Sequence, residues 1–383
     1  MCSPHCFDAW SRLLALADAQ PDGGPRMPRR AFLAASAVPF LAAAGAASAA
    51  PADVTRELLD TTLSFDLHSH PGLFKSMSND TLAGHRQNAE AGRVKLIALT
   101  ATSDAPVIAP DRAGNLRQTR EPKPGELYAS MYRQIDALVR WSGAANMPIV
   151  TSVADAAAPG APVRGILAVE GCDFLDGRID RVQEAYDRGL RSLQLVHYRV
   201  NELGDIQTEQ PVHGGLTPFG KDVVRELNRL GIVIDVAHAR FEVVKGVVDT
   251  TTQPIILSHS NIMETSGWAR FISPEHARLV AGTGGVIGAM PIIFGRRSDD
   301  IPGYVHFVSR LVDAAGIDHV GLGTDMDGIG PSGIFTSYSR WPSLAAALID
   351  HGYRPDEAAK ILGGNAQRVF QKVGASAAPR AAG

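Results

Sequence analysis

From Ser64 onward, short apolar, β-branched runs alternate with longer amphipathic segments, and that rhythm leaves few folds open to the chain. The runs that read as strands are Leu63 to His70, Val94 to Ala101, Gly165 to Glu170, Ser192 to Tyr198, Ile232 to His238, Pro254 to Ser260, Gly285 to Met290 and His319 to Asp325. Nearly continuous apolar runs suit strands buried on both faces, as in a parallel sheet covered by helices. Eight of them predict an α/β fold that closes as a (β/α)8 TIM barrel rather than an open doubly wound sheet. The intervening segments agree. In "LTPFGKDVVRELNRLG", Thr217 is a ready N-cap, Pro218 suits the first turn, Val223, Val224, Leu227 and Leu230 repeat at helical spacing, and Gly231 stops the helix. Met147 to Val153 predicts an extra short strand or ordered excursion, and no second domain is evident.

The amino end is different material. "MPRRAFLAASAVPFLAAAGAASAA" sets Arg29 and Arg30 before an Ala-rich apolar stretch that ends in the small-residue pattern Ala47-Ser48-Ala49. This predicts a twin-arginine-like signal peptide over residues 27–49, an upstream extension over 1–26, a single catalytic barrel over 50–383, and export to the periplasm. Pro39 and Gly45 interrupt the run and no basic stop-transfer flank follows it, so no stable membrane insertion is expected after cleavage. Cys2 and Cys6 fall in the extension; Cys172 is then alone, cannot form an internal disulfide and reads as a buried thiol. A net charge of −3, with no Lys/Arg block in the body of the chain, argues against nucleic acid as the main partner. Monomer and homodimer both stay open.

A barrel of this kind gathers its chemistry at the carboxyl ends of its strands. Here those ends carry His68 and His70, Glu170, His197, His238, His259 and Asp325, while the opposite ends offer almost nothing comparable. Strand residues two apart point the same way, so His68 and His70 can grip one ion. A lone His-x-His pair reads as a chance surface feature, and His238 or His259 alone reads equally as a satisfied buried histidine. A carboxylate behind a buried apolar strand, as in "ILAVEG", is costly unless paired or bound to a cation. Their convergence on one mouth favours metal. Imidazole and carboxylate without thiolate favour zinc, with manganese, cobalt or iron open. The donor set exceeds what one catalytic ion requires, so two ions bridged by a carboxylate and a hydroxide are expected. "SLQLVHY" holds no lysine that could be carbamylated into a bridge, which leaves Glu170 for that place.

These residues carry a resemblance. "AVEG", "LVHYRVNELGD", "GLTPFGKDVVRELNRLGIVIDVAHA", "PIILSHSN", "HVGLGTDMDG" and "GGNAQRVF" fall in the order and spacing of the membrane (renal) dipeptidase family of zinc peptidases, and the likeness runs from about Phe65 to Phe370. The resemblance implies that His68, the residue at position 70, Glu170 and Asp325 surround one zinc, and that Glu170 bridges to a second held by His238 and His259. It further implies that His197 and Arg270 contact a dipeptide substrate. His197 would stabilise the oxyanion, Arg270 would pair with the free carboxylate, and Asp325 would move the proton. Two departures stand out: His70 replaces an aspartate common in the family, and Met290-Pro291 stands where an aromatic residue is common near the substrate carboxylate. Arg270 by itself reads as a solvated loop arginine. His85, His213, His276, His306, His319 and His351 read as exposed, and Asp66 and Asp327 as supports of the site or plain structure. Two rivals stay beside the dipeptidase: a related binuclear amidohydrolase acting on cyclic amides, lactones or N-acyl amino acids, and an exported non-catalytic binding protein on the same barrel.

Overall fold

Strands β2 (Leu96–Thr102) and β3 (Arg164–Glu170) show how the chain divides its apolar residues between two cores. Leu96, Ala98, Ile166 and Ala168 face an interior shared with Phe65, Leu67, Val233, Ile256 and Val286. Ile97, Leu99, Leu167 and Val169 face the opposite way, into the layer beneath the helices. A period-two strand that is apolar on both faces must be covered on both, and only helices outside and other strands inside can do so.

In the computed structural model, which describes residues 52–71, 79–157, 160–263, 268–292, 300–328 and 334–377, this sheet closes on itself. Its remaining strands are β1 (Phe65–Ser69), β4 (Leu190–Gln194), β5 (Val233–Asp235), β6 (Ile256–Ser260), β7 (Val286–Ala289) and β8 (Val320–Leu322). Each pairs in parallel with its neighbour in sequence, and β8 returns to β1 with Leu322 opposite Asp66. The fold is the expected (β/α)8 barrel. A two-residue strand, Ile149–Val150, lies along the start of β3 within the predicted Met147 to Val153 excursion. The helix after β4, Pro218–Leu230, is capped as its sequence requires: the Thr217 side chain accepts from Gly220 N at 3.0 Å, and Gly231 ends it at φ 71°.

The amino end of the barrel is sealed by the last helix, Asn365–Ala375, whose Ala366, Val369, Phe370 and Val373 join the interior core. Phe370 meets Phe65 edge to face with ring centroids 5.0 Å apart. Gly363 lets this helix approach: a Cβ there would run into the Leu63 carbonyl. Asn365 then donates to the carbonyls of Ile317 and Val320 at 2.8 and 2.9 Å, which accounts for the "GGNAQRVF" pattern.

Several strands are shorter than their apolar runs. His197, His238 and Asp325, expected at strand ends, lie beyond β4, β5 and β8 in the loops that follow. For His238 and Asp325 the reason is backbone: at φ 65° and 48° they are left-handed, a conformation no strand accommodates. Among the described residues no helix is long and apolar enough to cross a membrane. The expected extension and signal peptide, 1–26 and 27–49, lie outside the described residues.

Candidate metal centre and active site

Glu170 reaches the carboxyl mouth by plain alternation, inward after Ile166 and Ala168. β1 needs a device. Phe65 and Leu67 face the interior, so an unbroken strand would send His68 outward. Its register against β2 slips: Asp66 faces Ile97 and Ser69 faces Leu99, one residue more on β1 than on β2. Such a bulge re-aims the side chains after it, and His68 and His70 turn inward together with their Nε2 atoms 3.0 Å apart. β6 slips in the same way against β7, with Leu257 to Ser260 spanning Ile287 to Ala289, and His259 comes inward. Its Nε2 lies 3.1 Å from that of His238.

Glu170 is the hub. Its Oε1 stands 3.2 Å from His238 Nε2, 3.5 Å from His68 Nε2 and 3.7 Å from His259 Nε2. Its Oε2 stands 3.1 Å from His197 Nε2 and 3.3 Å from His70 Nε2, and His70 in turn lies 3.4 Å from Asp325 Oδ1. All these imidazoles and Glu170 are buried. Gly328 makes room behind Asp325, since a Cβ there would collide with the Asp325 carboxylate and the His70 ring.

The outer nitrogens decide what the inner ones can do. His70 Nδ1 lies 3.1 Å from the Thr100 carbonyl, which can only accept, so Nδ1 carries the proton and the Nε2 lone pair faces the cluster. Ser258 Oγ lies 2.9 Å from His259 Nδ1 and 3.3 Å from His68 Nδ1, and orients both rings. Burial, aided by the neighbouring cations, holds His238 and His259 well below the usual histidine range, so both are neutral, the form that ligates metal. Burial alone would raise Glu170, but His197, His68 and His238 together hold its carboxyl well below the usual range. Burial likewise works against a charged His197, yet Asp104 and Glu170 outweigh it and hold the ring up at about 9. Burial raises Asp325 against the pull of His70 and His68.

These residues fit a bound cation. Two ligands on one tetrahedral zinc, each about 2.0–2.1 Å from it, lie roughly 3.3 Å apart, and the inward atoms here sit 3.0 to 3.7 Å from one another. Three overlapping sets have ligand atoms mutually within 4.8 Å: His68, Glu170 and His259; His68, His70 and Asp325; Glu170, His197 and His238. The Nε2 atoms of His238 and His259, both held neutral, face each other at 3.1 Å, a pairing that a cation between them would satisfy.

The family model of the membrane dipeptidases, peptidase family M19, matches residues 118–382. The chain belongs to that family. Two curated dipeptidases align with it: dipeptidase aclJ of Aspergillus oryzae, 28% identical over 224 residues (55% of this chain and 52% of that one), and dipeptidase tcpJ of Claviceps purpurea, 30% identical over 216 residues (54% and 50%). The chain thus spans about half the length of the curated relatives it matches. Among solved structures, a metallo peptidase from Rhodobacter sphaeroides liganded with a phosphinate mimic of the dipeptide L-Ala-D-Ala superposes with TM-score 0.71 at 21% identity, over 82% of this chain and 99% of that one. The probable dipeptidase PvdM from Pseudomonas aeruginosa superposes with TM-score 0.69 at 21% identity, over 86% and 100%. Both share the fold of this chain.

Every site residue expected from the sequence lies in or beside this one cluster. Arg270 is no solvated loop arginine: it is buried, with one guanidinium nitrogen 3.0 Å from His259 Nε2, another on Gln207 Oε1, and the Tyr198 hydroxyl hydrogen-bonded to it. Asp66, fully buried, accepts from Thr324 N, Thr324 Oγ1 and the Tyr338 hydroxyl and ties β1 to the loop carrying Asp325. Cys172 is buried, as expected. His85, His276 and His319 correct the expectation of exposure, His319 being half-buried with its Nδ1 2.9 Å from the Gly285 carbonyl. His85 Nε2 pairs with Asp327 at 2.8 Å, and His276 is buried against Phe241, the first residue of the helix Phe241–Val248 that packs on its own. Sequence reasoning missed Asp104, Tyr198 and Gln207. Asp104 was within reach, since it follows the apolar run of β2 as Glu170 ends β3, but the predicted strand stopped at Ala101.

Proposed function

We propose that this membrane-dipeptidase-family chain is a metal-dependent dipeptidase that hydrolyses the peptide bond of short peptides, with two ions, zinc first among them, shared through Glu170. The observation that carries the reading is that both Glu170 oxygens meet inward imidazoles from the end of β1 and from the loops after β4 and β5, with Arg270 beside them. Bound ions would supply a water acidified towards neutral pH and an electrophile for the scissile carbonyl. The protein's own groups do the rest. Arg270, a buried guanidinium fork, takes the free carboxylate of the dipeptide. His197 offers Nε2–H to the carbonyl oxygen as it gains charge. Asp325 accepts the proton released when the water oxygen bonds to carbon, and delivers it to the amine nitrogen as the C–N bond breaks. The dipeptide mimic held by the Rhodobacter sphaeroides peptidase supports this substrate class.

The test is a dipeptide panel, including members with a carboxyl-terminal D-residue, set against lactones and N-acyl amino acids, with zinc, manganese and cobalt each supplied. Preferential dipeptide turnover is expected; turnover of the other substrates alone transfers the reading to the wider amidohydrolases, and none at all supports the binding protein. Glu170→Ala should abolish turnover and lower bound metal in elemental analysis, and a variant with normal rate and full metal content refutes the bridge. Export is part of the same proposal, carried by Arg29, Arg30 and Ala47-Ser48-Ala49. Amino-terminal sequencing of the periplasmic protein should begin near Ala50, whereas a cytosolic protein starting at Met27 contradicts it.

A further inference from the structure

His197 has two ring nitrogens, and the proposed chemistry uses one. Its Nε2 points at the cluster, 3.1 Å from Glu170 Oε2, while Nδ1 points away, 2.7 Å from Asp104 Oδ1. Asp104 is fully buried and 93 positions away in sequence. Its second oxygen accepts from the backbone N–H of Tyr198 at 3.0 Å, so one carboxylate grips the ring of His197 and the chain next to it. The carboxylate is itself fixed: the neighbouring Ser103 N–H donates to the Glu170 carbonyl at 2.9 Å, and Ser103 Oγ accepts from Phe174 N at 2.8 Å. The rings of Tyr198 and His238, each with its centroid 4.6 Å from that of His197 and 4.9 Å from each other, pack together against it. Asp104 lies before residue 118, where the family match begins.

The geometry points to Asp104 as the positioning residue of His197: it accepts the Nδ1–H hydrogen bond, fixes the ring plane, and leaves Nε2 as the only nitrogen the substrate can meet. A carboxylate can only accept from Nδ1–H, so the tautomer with an unprotonated Nδ1 would set lone pair against lone pair at 2.7 Å. The inference rests on the dipeptidase reading for its kinetic arm alone.

That arm compares Asp104→Ala, His197→Ala and the double variant, each with its metal content measured. Asp104→Ala should lower kcat about 10- to 100-fold with KM changed less than about threefold and metal retained. The double variant should be no slower than His197→Ala, because Asp104 acts through that ring. Asp104→Asn, which keeps an acceptor oxygen, should recover part of the loss. The second arm needs no turnover: nitrogen-15 NMR of the histidine rings in the zinc-loaded protein, with His197 assigned from His197→Gln. A protonated Nδ1 is expected in the parent and in Asp104→Asn, and its loss in Asp104→Ala. An unchanged His197 signal in Asp104→Ala, or losses that multiply in the double variant, overturns the inference. If no dipeptide is hydrolysed, the function proposed above fails while the ring signal still decides the role of Asp104.

Discussion

His276 shows what a histidine does once a helix and its neighbours cover it. The ring is buried, its Nε2 has no hydrogen-bond partner among the described residues, and Phe241 lies edge-on to it. Burial pushes it down to about 4, with Arg270 adding to the shift and Glu242 opposing it. The unfolded chain therefore binds a proton below about 6.5 that the folded chain refuses until about 4. Stability is highest above 6.5 and falls as the pH drops through that window, by on the order of 3 kcal/mol from this one group. His276→Leu should shrink the difference in urea midpoint between pH 7 and pH 4. An unaltered difference means the ring is protonated in the native state. Nothing in the sequence separates His276 from His306 or His351, which are exposed, because all three sit on helices and only the packing partner differs.

At the scale of elements, the strands and their alternation were legible because a strand apolar on both faces has one use in a fold of this size. Their phase was not. The bulge in β1 is what puts His68 inward after Phe65 and Leu67, and a bulge has no reliable mark in a run such as "SFDLHSH". The floor of the barrel makes a separable prediction. Phe370→Ala should cost about 3–5 kcal/mol, since its ring fills the interior against Phe65. It should leave turnover per folded molecule unchanged, since the floor lies at the end opposite the metal centre. Thr217→Ala, which removes the cap of Pro218–Leu230, should cost about 1 kcal/mol. Thermal denaturation with activity normalised to the folded fraction checks both.

Across the whole molecule, the site is built from both ends of the chain. β1 supplies His68 and His70, the loop after β8 supplies Asp325, and Asp66 binds the two ends together through Thr324 and Tyr338. A cation held by residues from β1, β3 and β6 and from the loops after β5 and β8 would bind the folded chain alone, and so would stabilise that state by mass action. Chelation should lower the melting temperature and added zinc should restore it, and the recovery should be smaller in Glu170→Ala. A melting temperature indifferent to both treatments contradicts a metal centre at this place.

The order of apolar runs, the caps around Pro218–Leu230 and the ligand-type residues at successive strand ends are local properties, set by period, by side-chain volume and by the backbone each residue tolerates. From them the sequence alone determined the barrel and its family, and pointed to most of the residues that the fold gathers at its carboxyl mouth. Which nitrogen of each histidine faces inward, how Arg270 comes to be buried, and that Asp104 stands behind His197 depend on contacts between residues far apart in the chain. Only the closed barrel decided these, because a hydrogen bond between distant residues has no trace in the spacing of either one.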